Sequence, residues 1–163
     1  VLEYGGRYSD SERPFDDLLR SVWEHLSPGG ELIIAIENPT GIKYFAGAKE
    51  DHYGEPFVSV EGYKPDADVR TFTEPELKRT LMTVGFENVD AYYPMPDYKL
   101  PQCVVNAEAN DWFGQAAMAG ATYAEGEFRA FDEGKARRNL ASQGFFPVFG
   151  NSLLMVAKKG ESA

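Results

Sequence analysis

The chain has a single cysteine, Cys103, among its 163 residues. One cysteine cannot form a disulfide within the chain, and Cys103 has no cysteine or histidine neighbours at the spacing that metal ligands require. We therefore expect no disulfide framework and no metal site, and the composition favours a reducing, cytoplasmic location. We interpret Cys103 as a small buried hydrophobic residue.

Positive charge is also scarce, with 16 basic residues against 26 acidic residues and a net charge of -10. This charge repels phosphate backbones and anionic bilayers, so we expect no nucleic-acid partner. Apolar runs of the roughly 20 residues that a membrane span needs are missing, as is a signal segment at the start. These absences predict a soluble protein without membrane insertion.

The length allows one domain with a hydrophobic core. The first residue is Val1 instead of a methionine, and residues 1–6 have the pattern of a strand. We therefore expect the chain to begin inside an element of a larger parent protein.

A βαβ unit is predicted from the first part of the chain. A helix should begin at Pro14 and end at the glycine pair Gly29-Gly30. The strand that follows, over residues 31–36, is a nearly continuous apolar run, which is typical of a strand covered on both faces of a parallel sheet. The apolar positions of the helix are Phe15, Leu18, Leu19, Val22, Trp23 and Leu26.

A second helix and strand follow. Thr73 and Glu76 have capping-box spacing, Gly85 marks the helix end, and residues 89–93 alternate like a strand until the prolines at 94 and 96. A last strand is predicted over residues 152–157, before a polar, disordered tail at 160–163. Two long insertions are expected, at about 38–72 and 94–146. The first has a length that is typical of functional or disordered loops, and its aromatic residues favour order; in the second, short helices are expected near 112–119 and 132–140.

These elements carry a family resemblance. The segments "SPGGELIIAIEN", "TEPELKRTLMTVGFENVDAYY" and "SLLMVAKK" resemble the second half of class I S-adenosylmethionine (SAM) dependent methyltransferases. The segments "VLEYGGRY", "AIENPTGIKYFAGAKEDHYG", "VRTFTEPEL", "YYPMPDYKLP" and "FFPVFGNSLL" look like a bacterial subfamily associated with lipopolysaccharide or other cell-surface polysaccharide biosynthesis. Domains of that subfamily often occur beside glycosyltransferase modules.

The resemblance implies an α/β fold with a partial Rossmann-like sheet, strands four to seven, whose first strands are missing. Residues 1–159 would be the C-terminal portion of the domain. The Gly-rich turn after the first strand and the acidic residue that binds the ribose hydroxyls are both missing from this sequence. We therefore expect weak or absent SAM binding by this chain and no activity in isolation, unless a partner chain supplies the missing half.

The site should lie beyond the carboxyl ends of the strands. By resemblance, Glu3, Tyr4 and Gly5 would lie beside the methionine end of SAM, whereas Glu37 and Asn38 would lie near the acceptor. The alternative is that the two glutamates only end their strands in solvent.

The first insertion supplies the other candidates. His52, with Asp51 to orient it, is the candidate base for an acceptor hydroxyl, because imidazole titrates near neutrality. Lys43, Tyr44 and Arg70 are candidate substrate-binding residues, because cations and aromatic faces suit an anionic sugar nucleotide or a sugar ring. The alternative for His52 is a structural role in its loop. The alternative for the other three residues is that they only stabilise loops. Tyr98 and Lys99 offer the same groups, with the same alternative.

Two functions remain open from the sequence. The first is SAM-dependent methyl transfer to a sugar or sugar-linked intermediate of surface-polysaccharide synthesis, this chain being the acceptor-side half. The second is a non-catalytic interaction or scaffold module of a multidomain glycosyltransferase. The expected partner is a sugar or a nucleotide-sugar-like small molecule, and an exposed sheet edge would favour self-association.

Overall fold

The computed structural model describes residues 1–107 and 128–161. The helix expected near 112–119 lies outside the described residues, as do residues 162–163 of the expected tail. The described elements, in chain order, are a 3-10 helix at Leu2–Tyr8, α1 at Pro14–His25, β1 at Glu31–Glu37, α2 at Ile42–Phe45, α3 at Val58–Glu61, α4 at Glu74–Val84, β2 at Phe86–Met95, β3 at Cys103–Asn106, α5 at Glu133–Ser142, α6 at Phe146–Phe149 and β4 at Ser152–Lys159.

The four strands form one open sheet in the order β1-β4-β2-β3, in which every neighbouring pair is antiparallel. The α/β class expected from the sequence is confirmed, but a Rossmann-like sheet is not, because these strands do not have its order. The last strand, β4, lies between β1 and β2 and is antiparallel to both. Consequently β1 and β2 point in the same direction without being neighbours.

The strand predicted over residues 1–6 is wrong, since a 3-10 helix occupies this part of the chain. The helix packs closely on α1: a Cβ atom added to Gly5 would lie 2.8 Å from Cδ1 of Phe15. Its backbone is held by the loop before α4, where the N–H of Arg70 donates to the carbonyl of Glu3 at 2.9 Å. The predicted βαβ unit over these residues is therefore not formed.

The prediction that residues 31–36 form a strand is confirmed, but their expected parallel pairing and complete burial are wrong. β1 is an edge strand: it pairs with β4 alone among the described strands, and Ile33 is 62% exposed. Burial increases toward the carboxyl end, where Ile36 and Glu37 are each 1% exposed. The apolar run therefore ends in a buried charged residue.

The two main helices agree with the prediction. Leu19 of α1 and Leu77 of α4 are buried, and the Trp23 indole N–H donates to the carbonyl of Gly85 at 3.1 Å, which joins the two helices. Gly85 has φ of 120°, a conformation that favours glycine at a helix end. Thr73 precedes α4 without forming the expected side-chain cap.

The second strand runs further than expected. β2 continues through Pro94 to Met95, where Pro94 pairs with Val104 of β3. Its pairing with β4 extends only to Tyr92, so Pro94 has no β4 partner that would require its missing N–H. The helix expected near 132–140 is present as α5, with the Asp132 side chain accepting from the N–H of Lys135. In residues 1–107 and 128–161, no helix is long and apolar enough to span a membrane.

Candidate functional site

Glu37 ends β1 as a buried carboxylate. Its Oε1 atom accepts hydrogen bonds from Tyr98 Oη at 3.2 Å and from Lys99 Nζ at 2.8 Å. Its Oε2 atom is also buried and accepts no hydrogen bond from the described residues. A buried acceptor without a donor costs free energy, so Glu37 Oε2 is suited to a hydrogen bond from a ligand.

Asp51 lies beside Glu37 and shares one of its donors. Asp51 Oδ2 accepts from Lys43 Nζ at 2.7 Å and from Tyr44 Oη at 2.6 Å, while Oδ1 accepts from Lys99 Nζ at 2.9 Å. Lys99 therefore joins the two carboxylates. We call this group the carboxylate–lysine cluster; it consists of Glu37, Lys43, Tyr44, Asp51, Tyr98 and Lys99.

The protonation of the cluster follows from its contacts. Burial alone would raise the pKa of Asp51, but the charge of Lys43 and hydrogen bonds from Lys43, Tyr44 and Lys99 hold that pKa well below its usual range. Burial would lower the pKa of Lys99, yet hydrogen bonds to Glu37 and Asp51 raise it above the usual value. Burial, followed by the charge of Asp51, raises the pKa of Tyr44. At neutral pH these three groups are a carboxylate, an ammonium and a neutral phenol.

Local structure in the first insertion places these side chains. The short helix α2 carries Lys43 and Tyr44, and the backbone N–H of Lys43 donates to Asn151 Oδ1 at 3.0 Å. Gly41 allows this approach, because a Cβ there would lie 3.0 Å from the Asn151 Cα atom. The amino end of β4 thus positions α2 against the carboxyl end of β1.

His52 lies next to Asp51 in the chain but contacts a different carboxylate. Its Nδ1 atom lies 3.4 Å from Glu50 Oε1, its backbone N–H donates to Glu50 Oε2 at 2.7 Å, and its ring packs edge-on against Tyr4 at 5.3 Å. The side chain of His52 is 7% exposed. Asp51 instead accepts hydrogen bonds from Lys43, Tyr44 and Lys99.

Asn38, an expected substrate-binding residue, makes side-chain contacts within the described protein. Its Nδ2 atom donates to the carbonyls of Val148 and Gly150 at 2.9 and 2.8 Å, and its Oδ1 atom accepts from Thr40 Oγ1 at 2.9 Å. The side chain therefore ties the end of β1 to the turn before β4.

The three expected cofactor residues lie together in the 3-10 helix. Glu3 Oε2 accepts from the amino group of Val1 at 2.6 Å, the Tyr4 ring packs against His52, and Gly5 faces Phe15. The Tyr4 ring also lies below the Arg7 guanidinium at 5.4 Å. Each of the three thus has a contact within the described protein.

Arg70 lies apart from the carboxylate–lysine cluster. Its guanidinium pairs with Glu76 and lies 4.5 Å from the ring centroid of Phe72 and 5.3 Å from that of Phe15. The sequence pattern identified a cation here but could not indicate which of the nearby carboxylates would pair with it. In the structure, Arg70 lines an open cleft of about 890 Å³, away from Glu37.

The sequence did not predict the roles of two residues, Glu50 and Lys99. Glu50 is 1% exposed and accepts four hydrogen-bond contacts, including one from Tyr63 Oη at 3.0 Å. Its position two residues before His52 in "KEDHYG" is the only local signal. Lys99 was recognised as a cation, but its contact with Glu37 spans 62 positions and has no signal in the sequence.

Comparison of the chain with models of protein families, with curated proteins and with solved structures finds no match. The candidate residues outside the 3-10 helix lie in four places: in the carboxylate–lysine cluster, at the Glu50–His52 contact, at the end of β1 (Asn38) and along the cleft around Arg70.

Proposed function

We propose that this chain forms the acceptor side of a SAM-dependent methyltransferase domain that acts on a sugar or sugar-linked intermediate of surface-polysaccharide synthesis. The observation that carries the proposal is Glu37, a buried carboxylate with an unsatisfied oxygen at the carboxyl end of β1. Ligands of α/β sheets bind beyond the carboxyl ends of the strands, which is where this oxygen lies.

The chain connectivity also supports the proposal. β1 and β2 run in the same direction, and the chain between them passes through α4. Two strands of equal direction joined through a helix are the arrangement of α/β proteins. Here β4 lies between them and is antiparallel to both.

The cluster offers what the acceptor side of a methyl transfer needs. A hydroxyl acceptor must be held in line with the methyl donor and must lose its proton during transfer. Glu37 Oε2 accepts the hydrogen bond of that hydroxyl in the proposal, while Lys99 and Tyr98 hold Oε1 in place. The site must open for the hydroxyl to reach Oε2, because this atom is itself buried. Asp51, which stays ionised between its donors, fixes Lys99 and does not take up the proton.

His52 remains a candidate base in this proposal, but its positioning residue is Glu50 instead of Asp51. A buried carboxylate on Nδ1 leaves Nε2 as the atom that could take a proton. The ring must then become accessible to the acceptor, because its side chain is 7% exposed.

The residues present do not by themselves fit SAM. Glu3, Tyr4 and Gly5 form no cradle: Gly5 is closed off by Phe15, and the Tyr4 ring is covered by His52 and Arg7. We therefore assign no step of the reaction to these three residues, and the proposal rests on the acceptor side alone.

Isothermal titration calorimetry with SAM tests the proposal. We expect measurable binding by the whole gene product and little or none by the 163-residue chain. Methyl transfer by the gene product should fall at least about 100-fold in Glu37→Gln, which keeps the size of the side chain but removes its charge. No SAM binding by the whole gene product would refute the enzyme proposal.

The second candidate function is a non-catalytic interaction module, and the observation that favours it is the open edge of β1. Ile33 is 62% exposed there, and no described strand pairs with this edge. An exposed edge with apolar residues is a template for another strand. Absent SAM binding together with specific association through this edge would favour the module.

A further inference from the structure

The open cleft beside Arg70 is lined by none of the six residues of the carboxylate–lysine cluster, although Pro39 and Thr40, which follow β1, do line it. It lies between the segment that leads into α1, the loop at residues 62–68 and the outer face of α4. Its volume of about 890 Å³ falls in the range of small-molecule sites, which is about 300–1,000 Å³. The cleft is thus large enough for a ligand of one or two sugar rings.

Hydroxyl groups are numerous in the lining of the cleft, which includes eight serine and threonine residues and Tyr63. A hydroxyl both donates and accepts, so a surface that carries many of them matches a ligand rich in hydroxyls. Six of the serine and threonine residues along the cleft are Ser9, Ser11, Ser59, Thr71, Thr73 and Thr80.

The charges in the cleft argue against an anionic ligand. Six carboxylates and four basic side chains line it. Of the basic residues, Arg70 pairs with Glu76 and Arg13 pairs with Asp16. A surplus of negative charge repels phosphate groups, which disfavours a nucleotide sugar and favours a neutral ligand.

One hydroxyl in the lining lacks a hydrogen-bond partner. Ser59 is 7% exposed, and its Oγ atom accepts and donates no hydrogen bond within the described part of the chain. Buried polar atoms in folded proteins are almost always satisfied, but the Ser59 Oγ atom has almost no exposed surface, so a ligand in the cleft reaches it only if the wall moves. This observation is independent of the cleft's size and charge.

Two planar side chains in the cleft, those of Tyr63 and Arg70, are held in position by contacts with neighbouring residues. The Tyr63 hydroxyl bonds to Glu50 Oε1 at 3.0 Å and to Thr71 Oγ1 at 2.8 Å. Arg70 lies over the Phe72 ring, and its backbone N–H donates to Glu3. Preorganised side chains lose little entropy when a ligand binds, which favours recognition of a weakly interacting neutral molecule.

We propose that this cleft binds a neutral, polyhydroxylated ligand, a saccharide, through Ser11, Thr80 and the planar faces of Tyr63 and Arg70. The ligand class rests on the proposed function, whose acceptor is a sugar. Glu37 does not line the cleft, so the cleft is a recognition site and not a catalytic one.

The test is a titration of the isotope-labelled 163-residue chain, without SAM, followed by NMR. The probes are the neutral disaccharides lactose, maltose, cellobiose and mannobiose, compared with glucose 6-phosphate and UDP-glucose. We expect at least one neutral disaccharide to shift the amide signals of Ser59, Tyr63 and Thr80, and the two anionic sugars to leave them unchanged. Absence of any shift with the disaccharides, or stronger shifts with the anionic sugars, overturns the proposal.

Thr80→Ala separates ligand binding from folding. Because Thr80 lies partly exposed along the cleft, the variant should unfold at the same urea concentration as the wild type while its saccharide affinity falls about tenfold. Ser21→Ala, at an exposed position on α1, is the matched control and should change neither property. Equal affinities for Thr80→Ala and the wild type would count against the assignment of Thr80.

The two proposals can fail separately. Saccharide shifts in the cleft without SAM binding by the whole gene product would leave the recognition site standing and remove the methyltransferase. SAM binding and methyl transfer without saccharide shifts in the cleft would support the methyltransferase and remove the recognition site.

Discussion

Lys99 Nζ lies 2.8 Å from Glu37 Oε1, which joins a half-exposed loop lysine to a carboxylate that is 1% exposed. The same ammonium lies 2.9 Å from Asp51 Oδ1. Lys99 thereby connects three segments that are distant in sequence: the end of β1, the first insertion and the loop after β2. The geometry of the candidate site depends on this lysine.

We expect Lys99→Met to lower the free energy of unfolding by about 1–3 kcal/mol, because it leaves the Glu37 carboxylate with Tyr98 as its only described donor. In a Glu37→Gln background the same change should cost less, by a coupling energy of about 0.5–3 kcal/mol. Urea unfolding of the wild type, both single variants and the double variant measures this coupling.

The matched control for that cycle is Lys135→Met. Lys135 pairs with Asp132 on the surface, where both side chains are more than half exposed, and such pairs contribute about 0–1 kcal/mol. Identical losses for Lys99→Met with and without Glu37→Gln would show that the two residues are not coupled.

The low pKa of Asp51 makes the stability of the chain depend on acid pH. Because this pKa lies below that of the unfolded chain, the unfolded chain takes up the proton first as the pH falls. The contribution of Asp51 is complete above the ordinary aspartate pKa of about 3.9, and it is lost as the pH falls through the lower folded-state value.

In Asp51→Asn this dependence should disappear. Below about pH 4, the free energy of unfolding should fall less steeply with pH than in the wild type, by up to about 1.4 kcal/mol per pH unit. Urea unfolding at a series of acid pH values gives both slopes. Parallel profiles for the two proteins would contradict the assignment of a depressed pKa to Asp51.

Asn38 is expected to matter for stability. Asn38→Ala removes the donor to the carbonyls of Val148 and Gly150, and unsatisfied buried groups cost about 1–3 kcal/mol each. We expect a loss of about 2–4 kcal/mol in thermal or urea unfolding. Asn139→Ala on the exposed face of α5 is the control and should stay within about 0.5 kcal/mol of the wild type.

The sequence predicted the elements better than their pairing. The periodicity of α1 and α4 and the apolar runs of β1 and β4 depend on neighbouring residues, so they could be predicted locally. Strand direction depends on distant residues: β1 was expected in a parallel sheet because an apolar run is typical of a strand covered on both faces, but it pairs with the antiparallel β4 and leaves Ile33 62% exposed. Residues 1–6 were misassigned because their two glycines and Tyr4 also suit a turn packed against a helix.

The sequence predicted which residues belong to the candidate site but not which of them contact one another. Lys43, Tyr44 and Asp51 were identified as polar residues in one insertion, and they do come together in the structure. The partner of His52 was predicted as its neighbour Asp51, but adjacent loop residues point in different directions and the ring faces Glu50. The contact of Lys99 with Glu37 depends on the tertiary fold and leaves no local pattern.

The open edge of β1 should cause self-association of the 163-residue chain. Ile33 is 62% exposed on a strand whose second edge has no described partner, and a charge on such an edge prevents strand addition. We expect sedimentation velocity to show a concentration-dependent dimer for the wild type and a monomer for Ile33→Lys. Met82→Lys introduces the same charge at a residue that is 59% exposed on α4, away from the edge, and should still dimerise. A wild-type chain that stays monomeric at every concentration would show that this edge does not pair with a second copy.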